Sequence, residues 1–178
     1  GSDFDYSLQR LDPATGEVQL VYDLYTDTYD YHYPPLVLVT NTLEEKMLYT
    51  WGIAPFAGFK IIRTHGTYET TEILYDQDPF MPTASSNPHH FMPFKGKLAF
   101  VAQSTFYESH SLQITDGHNI VELTNLQHMS NETNPIAATN THIYMSGRDW
   151  LEIHKSDGTN SFPSLADDSD QLPALNLT

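Results

Sequence analysis

The feature that most constrains this chain is a repeated order of short strand-like runs, each module carrying a turn glycine at the same place. Gly16, Gly66, Gly117 and Gly158 stand 50, 51 and 41 residues apart. A period of ~40–50 residues holding four short strands is the pattern of propeller blades. The clearest copy reads Ser86-Asn87-Pro88-His89-His90-Phe91, then Phe94-Lys95-Gly96-Lys97-Leu98-Ala99-Phe100-Val101-Ala102, then Ser111-Leu112-Gln113-Ile114-Thr115-Asp116-Gly117, then Ile120-Val121-Glu122-Leu123. The same order occurs earlier at 34–39, 46–52, 59–66 and 71–76, and later at 134–137, 140–145, 151–158 and, more weakly, 160–165. The expected fold is therefore all-β, a single repeat domain of blades of four antiparallel strands. Its modules fall at about 4–33 (partial), 34–84, 85–133 and 134–178, the last running into a further partial blade.

Local chemistry agrees with this order. Pro35, Pro88 and Pro135 each open the first strand of a module, where a missing N–H does least damage. The run 98–102 alternates as a strand with one buried face does. Asp116-Gly117 and Asp157-Gly158 read as two-residue type I′ hairpin turns, with His65-Gly66 a weaker version and Asp12-Pro13-Ala14-Thr15-Gly16 a longer one. Helices are disfavoured, because no stretch keeps i, i+3, i+4, i+7 apolar spacing and 11 Pro with 9 Gly interrupt every long window.

Charge narrows the partners. Lys and Arg number 8 against 23 Asp and Glu, a formal charge of −15 that opposes binding to a phosphate backbone. No apolar run approaches the ~18 residues that span a bilayer, so no membrane insertion is expected. Cysteine is absent, which removes disulfides, thiolate metal sites and Cys nucleophiles together.

These modules resemble the ELWxxDGT-type repeats of large secreted and surface proteins. Ser85-Ser86-Asn87-Pro88 is similar to that repeat's opening, 95–102 to its turn and second strand, and Ser111 to Gly117 to its signature; Leu151 to Thr159 is the other good match. Gln9, Ile61, Gln113 and Ile153 stand near the place of the signature Trp. The resemblance implies a β-propeller in an extracellular or cell-surface setting, and it implies no catalytic residues, since the motif is structural.

No His-Glu-x-x-His, Gly-x-Ser-x-Gly or phosphate-cradling glycine loop occurs, so no catalytic residue is expected. His89 and His90 are neighbours on a strand and should point to opposite faces. The richness in hard oxygen donors makes calcium the metal to look for, at Asp27 and Asp30 and at Asp167, Asp168 and Asp170. The connection 22–35 is rich in tyrosine; with Trp51, its Tyr25, Tyr29, Tyr31 and Tyr33 form the expected binding surface, because Tyr offers a large ring and a polar tip at small entropic cost. Asn131-Glu132-Thr133 is an N-glycosylation sequon on a polar connection, and Asn176-Leu177-Thr178 is a second near the end.

Two functions fit. One is a non-catalytic extracellular propeller module for protein interaction or structural assembly. The other is a carbohydrate-binding or carbohydrate-active propeller, calcium-dependent in one version, in which Tyr side chains, Trp51, Trp150 and carboxylates would hold a glycan. The ends of the chain read as incomplete blades: 6–12 and 18–22 correspond to third and fourth strands, and 169–177 to a first strand. About three and a half modules are fewer than an ordinary closed ring of roughly four to eight blades needs. The expectation is a segment of a larger propeller, or subunits that complete each other's terminal blades, such as two chains in a seven-blade ring.

Overall fold

Strands form where apolar residues alternate between the turn signals, and they pair with the next strand in sequence. The computed structural model describes residues 6–24, 35–54, 58–74, 88–103, 110–125, 136–146 and 153–159. Within them lie β1 (Tyr6–Leu11) and β2 (Val18–Leu24) of a first sheet; β3 (Val37–Thr40), β4 (Lys46–Ala54), β5 (Gly58–Thr64) and β6 (Glu72–Leu74) of a second; β7 (His89–Phe94), β8 (Lys97–Gln103), β9 (His110–Thr115) and β10 (Ile120–Asn125) of a third; and β11 (Ile136–Ala138), β12 (Ile143–Ser146) and β13 (Ile153–Ser156) of a fourth. Each sheet is an antiparallel meander in chain order. The only helical element among the described residues is a 3-10 turn, Tyr68–Thr70. The described residues are thus all-β and repetitive, with strands close to where the repeat places them; the expected runs 160–165 and 169–177 lie outside the described residues.

The sheets pack face on face, and three cores lie at the successive seams. Leu8, Val21 and Leu24 of the first sheet meet Ile62 of the second. Val39, Met47, Tyr49, Ile61 and Leu74 of the second meet Leu98, Phe100, Ala102 and Ile120 of the third. Ala99, Val101, Leu112, Ile114 and Leu123 of the third meet Ile143 and Met145 of the fourth. β8 consequently buries both faces, residues 98–102 all being inaccessible. The alternation of this run suggests one buried face; its position in an internal sheet between two neighbours is why it has two. Pro93 is tolerated within β7 because β7 is the edge strand of its sheet.

The turns depart from expectation in an informative way. Thr115 pairs with Ile120, so β9 and β10 are joined by a four-residue loop in which Gly117 takes φ +99. Asp116 does not take the positive φ that type I′ demands; its carboxylate accepts the N–H groups of His118 and Asn119, at 2.9 Å each. The two-residue I′ turn occurs instead at Lys95-Gly96, with φ +48 and +75, between the paired Phe94 and Lys97. Gly16, Gly66 and Gly158 also have positive φ, so the glycines that define the period share a backbone role.

Candidate functional site

Three of the four turn glycines are held by a hydroxyl two residues before them, while the Gly16 N–H donates to the Asp12 carbonyl. Thr64, Thr115 and Ser156 are all buried, and their side-chain oxygens accept the N–H of Gly66, Gly117 and Gly158 at 2.9, 3.0 and 3.1 Å. A buried N–H without an acceptor is costly, so this bond fixes the turn and sets it flush with the sheet face.

The glycine then sits against the preceding sheet. A Cβ on Gly66 would lie 3.9 Å from Arg10 Cδ, one on Gly117 would lie 2.6 Å from Arg63 Nη1, and one on Gly158 would lie 2.9 Å from Phe94 Cε1 and 3.6 Å from Ile114 Cδ1. Arg10, Arg63 and Ile114 occupy one position of the repeat, on the third strand of the preceding module and facing the next sheet. The absent side chain makes room for Arg63 at Gly117 and for the Phe94 ring at Gly158, whereas Arg10 and Ile114 stand at ordinary contact distance.

The seam between the second and third sheets carries the most chemistry. Arg63 on β5 points toward the third sheet, and its Nη2 donates to Glu72 Oε2 on β6 at 2.5 Å; the Arg63 side chain is 5 % exposed and that of Glu72 57 %. Arg63 Nε has no hydrogen-bond partner among the described residues. Tyr49 on β4 is fully buried, with its hydroxyl directed to Met47 Sδ at 3.7 Å. Burial pushes its hydroxyl up to about 12; the Arg63 guanidinium opposes that rise and Asp116 adds to it. Asp116 itself is held below the usual carboxylate range, first by the Asn119 N–H and then by the His118 N–H. A cleft of about 440 Å³ opens beside this cluster, between residues 72–74 of β6 and 117–120 of the β9–β10 turn. The Arg63–Glu72 pair lies within the second sheet and Asp116 is held by its own turn in the third, so each polar group is tied to its own sheet beside the cleft.

A second cluster arises at the start of β7. The register shifts between His89 and Met92, His90 takes φ +53, and the two imidazole rings come together edge to face with centroids 4.9 Å apart. Opposite faces were the expectation for neighbouring strand residues; the bulge overturns it by turning His90 back beside His89. The His90 ring keeps access to solvent, but partial desolvation first and the neighbouring His89 second hold its pKa below the ordinary value.

Of the residues that the sequence nominates, the structure describes only Trp51. It is 7 % exposed, packed within β4 between neighbouring sheets, so its ring is not presented as a surface platform. Tyr25, Tyr29, Tyr31, Tyr33, Asp27, Asp30, Asn131, Asp167, Asp168 and Asp170 lie outside the described residues. Among the described residues no three His, Asp or Glu side chains come close enough together to hold a metal ion. Sequence reasoning missed Arg63, Glu72 and Tyr49, and it missed the seam hydroxyls although Thr64, Thr115 and Ser156 stand visibly in phase with the glycines. Comparison with protein-family models, curated proteins and solved structures finds no match to the chain.

Proposed function

We propose that the chain is a non-catalytic β-propeller-type module serving protein interaction or structural assembly in an extracellular or cell-surface setting. The observation that carries this reading is the recurring seam: glycine turn, buried hydroxyl and the side chain beneath them repeat from sheet to sheet. Buried polar groups devoted to stacking make a rigid scaffold, and a stack of meanders leaves its turns and end faces as the places for recognition.

The test is a turnover screen on purified chain with glycosides, esters and peptides, run beside Arg63→Gln and Glu72→Gln. The expected result is no turnover above buffer for any substrate. Turnover that survives purification and is abolished by one of these substitutions in the cleft would overturn the proposal.

A further inference from the structure

The sequence holds two Asp-Gly steps, Asp116-Gly117 and Asp157-Gly158, and no Asn-Gly. An aspartate followed by glycine is open to closure of its side chain onto the main chain, because the next residue carries no Cβ to block the approach. At Asp116 the Gly117 nitrogen would attack the protonated carboxyl carbon: an N–C bond forms, a C–O bond breaks, and the amide proton and the carboxyl hydroxyl leave together as water. The succinimide so formed takes water back. Addition at its side-chain carbonyl returns aspartate, whereas addition at its main-chain carbonyl leaves isoaspartate, whose main chain runs through the side chain and is one carbon longer. Nothing is oxidised or reduced, and the water lost in the first step is regained in the second.

Closure needs an amide that can give up its proton, a protonated carboxyl, and a turn free to bring one over the other. The seam withholds all three at Asp116. The Gly117 N–H donates to Thr115 Oγ1 at 3.0 Å, and both residues are buried. The carboxylate is turned forward, its Oδ1 accepting the N–H groups of Asn119 and His118 at 2.9 Å each, and these bonds favour the ionised form. Gly117 also lies tight against the second sheet, with Arg63 Nη1 2.6 Å and the Tyr49 hydroxyl 3.0 Å from the place of a Cβ, so the turn has no room to swing. Asp157-Gly158 is built from the same parts. Ser156 Oγ accepts the Gly158 N–H at 3.1 Å and Asp157 Oδ1 accepts the Thr159 N–H at 2.8 Å, but Gly158 is only half-buried.

We infer that Asp116-Gly117 is a latent isoaspartate site, closed while the β9–β10 turn is seated on the second sheet, and that isomerisation during an opening keeps the turn from seating again. The added main-chain carbon falls between Thr115 and Ile120, which pair directly, in a space that has no room for even a Cβ. An opening of this seam thereby leaves a permanent covalent mark. This chemistry does not depend on which partner the chain meets.

Peptide mapping that separates isoaspartate from aspartate decides the matter, on the full chain kept warm at mildly acidic pH, both native and in urea above its unfolding midpoint. Isoaspartate at Asp116 should accumulate in urea and at least about tenfold more slowly in the native chain, the ratio reading how seldom the turn opens. Thr115→Val strands the Gly117 N–H and should raise the native rate at Asp116 by roughly tenfold, as expected for one buried hydrogen bond. Asp157, on a seam that this substitution leaves alone, should keep its rate, and Thr115→Ser, which retains the hydroxyl, should match the parent at both sites. Chains isomerised at Asp116 alone, separated by chromatography and returned to buffer, should show a lower urea midpoint than unmodified chains taken through the same cycle. Equal rates in the native and unfolded chain overturn the inference. So does a folded Thr115→Val chain whose Asp116 rate is unchanged or rises only in step with Asp157, and so does an isomerised chain with the parent's midpoint. If Thr115→Val does not fold, the comparison of native chain with urea and the refolding midpoint still decide it.

Discussion

Replacing Gly117 by Ala tests the seams, and its cost can be worked from the geometry. At φ +99 the new side chain meets a left-handed backbone, which costs roughly 1–2 kcal/mol for an L residue, while the loss of glycine's freedom in the unfolded chain returns about 0.4–1 kcal/mol. The steric part is particular to this turn. The added Cβ would stand 2.6 Å from Arg63 Nη1, 3.1 Å from Arg63 Cδ and 3.0 Å from the Tyr49 hydroxyl. The guanidinium must shift and strain its bond to Glu72; because Glu72 is 57 % exposed, screening keeps that loss near ~1 kcal/mol. Overpacking against the buried Tyr49 adds about 1–3 kcal/mol. Gly117→Ala is therefore expected to cost about 2–6 kcal/mol. Gly16→Ala, with open space around its Cβ, should cost ~1 kcal/mol or less, the conformational part alone. Gly66→Ala belongs with Gly16, its nearest neighbour being Arg10 Cδ at 3.9 Å, and Gly158→Ala with Gly117, the Phe94 ring standing at 2.9 Å. Urea unfolding followed by circular dichroism, with a common slope, gives the four values. Equal costs at all four glycines would refute the seating argument, since strain without contact predicts no ranking.

The seam hydroxyls give a second series: Thr64→Val and Thr115→Val each strand a glycine N–H and should cost about 1–3 kcal/mol in urea unfolding, and an effect within error would show that the bond is dispensable. Tyr49→Phe should remove one late-ionising phenol from the ultraviolet titration, with a midpoint of about 12. Because the native hydroxyl keeps its proton above the ordinary 10, its contribution to stability is complete below pH 10 and is lost as pH rises toward 12; a difference midpoint near 10 would contradict its burial. His90 should titrate by NMR below the ordinary 6.5, and His89→Gln should raise that midpoint without restoring it fully, since desolvation is the larger cause. For this depressed group the stability contribution is complete above pH 6.5 and lost as pH falls through the native value, so a midpoint at or above 6.5 would remove the bulge from the account.

The strands were legible because glycine and proline mark their ends chemically: Gly66, Gly117 and Gly158 follow their third strands, and Pro35 and Pro88 precede β3 and β7. What β8 does with its two faces was not legible, since 98–102 reads the same whether one or two neighbours cover the sheet. The role of Arg63 was hidden for a related reason. Its counterparts are Arg10, with the same charge, and Ile114, shorter and uncharged, so the position is defined by its place beneath a glycine and not by residue type. Trp51 and His90 misled in opposite directions: one ring is enclosed by stacking, and the other is turned by a bulge that no local signal announced.

The account stands on the register of one sheet against the next, and the absence of cysteine lets a single engineered pair measure it. A Cβ on Gly96 would lie 3.2 Å from Asn41 Cα, bringing the β7–β8 turn of the third sheet onto the β3–β4 turn of the second, within reach of a disulfide whose Cβ atoms are about 3.5–4.5 Å apart. Asn41→Cys with Gly96→Cys should therefore close an intramolecular disulfide under mild oxidation, seen by mass spectrometry of the non-reduced monomer, while Asn41→Cys with Gly16→Cys should not. A Gly96 pair that remains reduced or links only between chains, or a Gly16 pair that closes equally well, would contradict the stacked repeat.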